Sequence, residues 1–259
     1  MKLFSRQYPN PSSSTNPPLV ILHGLFGLSD NWATLAKEFS QTRSVWVPDL
    51  RNHGLSPHDS EFTLSVLVQD IYDFIAEHQL QKVDLMGHSL GGKIAIQLTH
   101  NHPEVINRLV VADMGLRSMP LNPQHLKIFD LMKQCPLSQF GNFAELEKWF
   151  FQELQNQRMA WFVLKNIKNT KSGFQWKLNH EALEKAFQQP FDLLLDEEQQ
   201  IQTPTLFLKA QNSNYITDQD EQLIQKHFFN AFMEVIEDAG HWLHADQPKA
   251  FLHLTKAFL

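Results

Sequence analysis

Cysteine is nearly absent. The single thiol, Cys135, has no partner for an intramolecular disulfide, and the chain holds no multi-cysteine metal or redox motif. With no catalytic context around it, Cys135 reads as a part-buried thiol in a helical region. Positive charge is also scarce: 22 Lys and Arg stand against 28 Asp and Glu, a formal charge of −6. Nucleic acid and anionic membranes need a basic surface, so both are excluded as general partners. Small molecules or other proteins remain. No window approaches the roughly 18 uninterrupted apolar residues of a membrane span. The opening MKLFSRQYPNPSSSTNPP lacks an apolar run of the length an export signal needs, and the expected compartment is the cytoplasm. Glycine is sparse too, 10 in 259 residues, and eight of the ten fall in loops where predicted strands end.

What is present is ordinary for a globular protein, 42% hydrophobic and 19% charged, with length for one sizeable core and a lobe inserted into it. Compact apolar runs recur: LVILHG at 19–24, SVWVPDL at 44–50, VDLMGHS at 83–89, LVVADMG at 109–115, TLFLKA at 205–210 and FMEVIEDAG at 232–240. Each stops at a glycine or polar turn, as strands buried on both faces do. Between them Leu67, Ile71, Phe74 and Ile75 form one helical stripe. A last helix is expected with Asp246 near its cap, Pro248 in its first turn, and Phe251, Leu254 and Phe258 buried. Such alternation predicts an α/β fold, a doubly wound and mostly parallel sheet with helices on both faces. From about Leu116 to Gln200 no strand is evident, and helical windows rich in Phe129, Trp149, Phe150, Trp161 and Phe162 take over. That stretch is too long for a loop and reads as a helical cap, residues 116–200, inserted into a core of 1–115 and 201–259. Its aromatics are expected to divide between packing on the core and lining a pocket.

The most informative stretch is MGHSLGG at 86–92, which follows an apolar strand and precedes a helix-compatible run. Gly87-His88-Ser89-Leu90-Gly91 is G-x-S-x-G, a serine on a sharp strand-to-helix turn. Ser89 Oγ is then expected at the carboxyl edge of the sheet, over a helix N-terminus that favours a developing anion. An oxyanion needs two backbone N–H donors. Leu90 offers one, and Leu25 in LHGLFG offers the other, because Gly24 lets the backbone turn inward. His241, on a glycine-hinged loop after the last predicted strand, is the candidate base, with His244 as its competitor. His23 reads as a loop tie, and His88 is expected to point away from Ser89. His241 and His244 lack a third ligand at a recognisable spacing, so neither a metal nor an organic cofactor is called for.

HGLFG, PDLRNHGLS, GHSLGGK and AGHWLHADQP together resemble the α/β-hydrolase fold superfamily, and more closely the YbfF-type bacterial esterases related to mitochondrial abhydrolase-domain proteins. The resemblance implies an eight-stranded sheet, a helical cap after the sixth strand, a Ser, Asp, His order, and hydrolysis of carboxylic ester or thioester acyl bonds. Many members carry the acid in a Gly-x-x-Asp turn after the seventh strand. Here that turn reads Ala210-Gln211-Asn212-Ser213, and neither Ser213 nor Asn214 can carry the charge an imidazolium requires. Asp218 is expected to cap the next helix, and Asp238 stands too near His241 in sequence. Asp113, after four apolar strand residues, is costly to bury unless paired, and a histidine would be that partner. The YbfF-type esterases resemble the chain here as well, with their acid after the sixth strand. Asp113 is therefore the expected acid and Asp218 the alternative. Ser213, Asn214 and Trp242 are candidate substrate contacts, while Arg51 and His53 are expected to steady the site loops. A C–C bond hydrolase or lyase on the same scaffold, and a binding protein without catalysis, remain open on sequence alone.

Overall fold

The computed structural model describes residues 1–12, 14–118, 121–188, 191–196, 198 and 200–259. The chain runs β1 (Ser5–Tyr8), β2 (Leu19–Leu22), α1 (Ala33–Ser40), β3 (Val45–Pro48), α2 (Leu64–Glu77), β4 (Val83–His88), α3 (Leu90–Asn101) and β5 (Ile106–Ala112). It leaves the sheet for α4 (Pro123–Gln134), α5 (Phe143–Leu154), α6 (Gln157–Leu164), a hairpin of β6 (Ile167–Thr170) and β7 (Gly173–Trp176), and α7 (His180–Ala186). It returns with β8 (Thr205–Ala210), α8 (Asp218–His227), β9 (Ala231–Ile236), α9 (Leu243–Asp246) and α10 (Pro248–Phe258).

The main sheet has the order β1-β3-β2-β4-β5-β8-β9, with β1 antiparallel and the other pairs parallel. Strands β2 and β4 are buried at every position, which is why they read as unbroken apolar runs. The α2 stripe lies as the periodicity predicts, with Leu67, Ile71, Phe74 and Ile75 all buried. Thr63 caps α2 by accepting the Val66 N–H. One apolar cluster, on one side of the sheet, joins Val20, Leu85 and Ile94 to Phe129 and Phe150 from the inserted segment; a second holds Trp32, Phe39 and Phe251 on the other.

Three expectations need correction. The sheet has seven strands among the described residues, not eight. Only β1 precedes the parallel series, because PNPSSSTNPP at 9–18 has four prolines that lack ladder donors. The strand ending at Ala112 is therefore the fifth in the chain. Second, the inserted segment is not purely helical. Only Ile167 and Phe174 are buried in its hairpin, too weak an alternation to read in sequence. The turn is closed by Gly173 at φ +103° and by Thr170 Oγ1 donating to the Gly173 carbonyl at 2.7 Å. Third, α10 begins where expected, with Gln247 as its cap directly after Asp246 and Pro248 first, but Leu254 and Phe258 are only half-buried. Among the described residues no helix is long and apolar enough to cross a membrane.

Candidate active site

Ser89 sits between β4 and α3 with φ 54° and ψ −121°, a backbone strained for a residue with a Cβ. The turn closes because nothing but hydrogen projects from its flanks. A Cβ on Gly87 would lie 2.2 Å from the Gly91 carbonyl oxygen, and one on Gly91 would lie 2.4 Å from the Leu22 carbonyl oxygen. Two more non-glycine residues with positive φ, Phe26 and Asp113, border the same region. Three of the seven non-glycine residues with positive φ among the described residues thus lie where the candidate groups converge.

Asp113 follows β5 and is fully buried. Its Oδ2 accepts the His241 Nδ1–H at 2.7 Å and the Ser213 hydroxyl at 2.5 Å, while Oδ1 accepts the Ala210 N–H at 3.1 Å. This arrangement fixes the His241 tautomer with the proton on Nδ1 and leaves Nε2 able to accept one. Ser89 and His241 line one cavity of about 500 Å³, beneath the inserted helices. Leu25 borders it too, and Gly24 is so close that a Cβ there would lie 2.9 Å from Ser89 Cβ. Phe26 and Gly27 donate their N–H groups to His53 Nε2 and the Gly24 carbonyl. Among the described residues the Leu25 N–H has no such partner, and the Leu90 N–H opens α3 with no intrahelical acceptor.

Five histidines line the cavity: His23, His88, His125, His241 and His244. Burial holds four of them down as bases. It pushes His125 to about 4 and His244 to about 3, and lowers His23 and, further, His88. His241 alone of the five bonds a carboxylate, and its side chain is 22% exposed. His244, the sequence competitor, instead stacks on Trp32 with ring centroids 4.3 Å apart.

The remaining assignments divide. His23 ties its loop: Nδ1–H donates to the Gly24 carbonyl and Nε2 accepts the Leu50 N–H at 3.0 Å. Arg51 is anchored on Asp70 through two nitrogens, and His53 receives the Phe26 N–H, so both steady loops as expected. Trp242 lines the cavity, packed against Phe162 at 4.9 Å with the Arg158 guanidinium 5.4 Å from its ring centroid. Ser213 and Asn214 do not line it: the Ser213 hydroxyl is committed to Asp113, and Asn214 is exposed. Asp218 is exposed in the first turn of α8, where Thr217 and Asp220 form the cap. Of the inserted aromatics, Trp161 and Phe162 face the cavity, whereas Phe129 and Phe150 are buried in the core.

Three features escaped sequence reasoning. Tyr215 stacks on His241 at 3.6 Å and 17°, and Asn122 Nδ2, at the start of α4, donates to its hydroxyl at 3.1 Å. Burial and the nearby Asp113 push the Tyr215 phenol up to about 12, so it stays neutral. Far from being isolated on the turn, His88 donates Nε2–H to the His241 carbonyl at 2.7 Å, tying the elbow to the histidine loop. Asp246 Oδ2 accepts the Gly240 N–H at 2.9 Å and so braces that loop from its other side. The only sequence signal for Tyr215 was its place two residues after Ser213.

Known proteins bear on this geometry. A family model described as the alpha/beta hydrolase fold matches residues 17–248. A putative esterase/lipase of Haemophilus influenzae is 32% identical over 259 residues, covering 99% of this chain and 88% of the relative. Esterase YbfF of Escherichia coli is 30% identical over 259 residues, covering 100% of this chain and 99% of the relative. A solved marine microorganism esterase has a TM-score of 0.92 at 35% identity, covering 100% of this chain and 99% of that one. The chain belongs to the α/β-hydrolase fold family and, within it, to the YbfF-type group.

Proposed function

We propose that the protein is a serine esterase that cleaves carboxylic esters of small to medium acyl groups through an acyl-enzyme. His241 Nε2 takes the Ser89 proton as Oγ attacks the acyl carbonyl, and the Leu25 and Leu90 N–H groups receive the oxyanion. The imidazolium gives its proton to the leaving alcohol, and Asp113 stabilises that cation. Water enters, His241 acts as base again, and the acid is released. Thioesters of the same acyl groups fall within this chemistry.

The observation that carries the reading is the Asp113–His241 hydrogen bond at the wall of the cavity that also holds the strained Ser89. Esterase relatives along the whole chain support the reaction class. Residues 116–200 form the cap in this reading, 1–115 and 201–259 the catalytic core, and Trp242 contacts the leaving alcohol. The cytoplasm is the proposed compartment. The test is stoichiometric labelling by a fluorophosphonate together with hydrolysis of 4-nitrophenyl acetate. Both are expected in the native protein and neither in Ser89→Ala; a folded native protein that resists the label and leaves the ester intact is no serine esterase.

A further inference from the structure

Ser89 stands at the junction of two cavities of very different size. The larger, about 500 Å³, contains His241 and is walled by Trp32, Asn156, Arg158, Trp161, Phe162 and Trp242. The smaller, about 30 Å³, is walled by Leu90, Met114, Leu121, Phe187 and Phe191, and shares Leu25 and His125 with the larger. His241 borders the first and not the second.

The chemistry assigns a substrate half to each. In the tetrahedral intermediate the oxygen that leaves must face the group that protonates it, so the alcohol lies on the His241 side. The oxyanion points to the amides, and the acyl chain takes the remaining direction, into the small apolar cavity. We propose that the protein is selective for short acyl chains, acetyl to butanoyl, esterified to large alcohols. This rests on the esterase reading and fixes which half of the ester sets specificity.

Volume decides the chain length. One water needs roughly 10–15 Å³ of such space, so a cavity of this size takes about two or three heavy atoms beyond the carbonyl. Its walls are held in place. Phe187 stacks on Phe191 at 4.4 Å and 23°, and both rest on the buried Phe62 at 6.2 and 5.7 Å. Lys93, which also borders the small cavity, is tethered: its Nζ donates to the Leu116 carbonyl at 2.9 Å and to that of Arg117. A longer chain must displace aromatic rings that are already packed, which costs as overpacking a core does. The large cavity, by contrast, mixes indole and phenyl faces with Asn156 and Arg158, and so accepts a bulky alcohol carrying polar groups.

The test is kcat/KM across 4-nitrophenyl acetate, butanoate, octanoate and dodecanoate, and across acetates of alcohols from methyl to 1-naphthyl. We expect a fall of about tenfold or more from butanoate to octanoate, and no fall with alcohol size. Phe191→Ala and Phe187→Ala should raise the octanoate-to-acetate ratio, read in whichever variant keeps the native Tm. Equal or faster turnover of octanoate by the native protein overturns the inference while fluorophosphonate labelling of Ser89 leaves the esterase reading standing. Absence of labelling overturns both.

Discussion

Ser213 Oγ lies 2.5 Å from Asp113 Oδ2, the same oxygen that receives the His241 Nδ1–H at 2.7 Å. Ser213, in the turn after β8, thus presents its hydroxyl to a carboxylate at the end of the neighbouring strand. The pairing β5–β8 brings them together: Ala112 is in register with Leu208, and the Asp113 N–H donates to the Leu208 carbonyl at 2.8 Å. A carboxylate buried at the end of an apolar strand is tolerated because three donors converge on it.

Removing that charge should disable the site. Asp113→Asn keeps the volume but loses the anion that stabilises the His241 imidazolium, and kcat/KM for 4-nitrophenyl acetate is expected to fall by about 10³–10⁴. Asp218→Asn, exposed at the start of α8, is expected to change it less than about twofold. If the two variants exchanged these effects, Asp113 would not be the acid.

In the proposed mechanism Ser213 acts through Asp113 as a positioning residue, so its removal should be felt in turnover and not in binding. Ser213→Ala deletes one charge-assisted hydrogen bond to the carboxylate, a net loss of about 1.5–3 kcal/mol. Only part of it bears on the transition state, and a fall in kcat of about tenfold is expected with KM unchanged. Ser213→Thr, which retains the hydroxyl, should recover most of the loss. A rise in KM at constant kcat would instead mean that Ser213 touches substrate.

How much was legible before folding depends on the physical signal each residue left. Ser89 was readable because G-x-S-x-G between a strand and a helix combines several local constraints on one backbone turn. Asp113 was readable by its cost, as a carboxylate at the end of an apolar run. The seven-strand sheet, the hairpin at 167–176 and the role of Asp246 were not. The hairpin has one buried residue per strand, too few to set a period, and Asp246 braces Gly240 only because α9 folds back beneath the histidine loop. Tyr215 has no local signal beyond its place two residues after Ser213. Its meaning comes from a ring stack between the loops after β8 and β9, with α4 holding the phenol.

The buried histidines make stability depend on acid. Unfolded, an imidazole titrates near 6.5, whereas folded His244 is pushed by burial to about 3 and His125 to about 4. Between those values the unfolded chain takes up protons that the native state refuses. Stability from these groups is therefore complete above pH 6.5 and is lost as pH falls toward 3–4. Tm is expected to decline steadily from pH 7 to pH 4.5. His244→Phe should flatten the decline, because the ring can keep its place against Trp32 and the buried Nδ1 makes no hydrogen bond. An unchanged slope in this variant would place the acid sensitivity elsewhere.

The proposed oxyanion donors are backbone groups, so they are tested through the glycine that seats one of them. In Gly24→Ala the new methyl would lie 2.9 Å from Ser89 Cβ and 3.2 Å from His88 Nδ1, both held by the elbow. The His23–Phe26 loop must then move outward, carrying the Leu25 N–H away from the position of a developing oxyanion. Misplacement by about 1 Å costs on the order of 10²-fold in such sites, so kcat should fall by between ten- and a hundredfold. Gly141→Ala is the control. Its methyl would meet only the Glu145 carboxylate, at 3.6 Å, and activity should stay native. If Gly24→Ala hydrolyses 4-nitrophenyl acetate at the native rate, the Leu25 N–H is not an oxyanion donor, and the second donor must be sought elsewhere on the cavity wall.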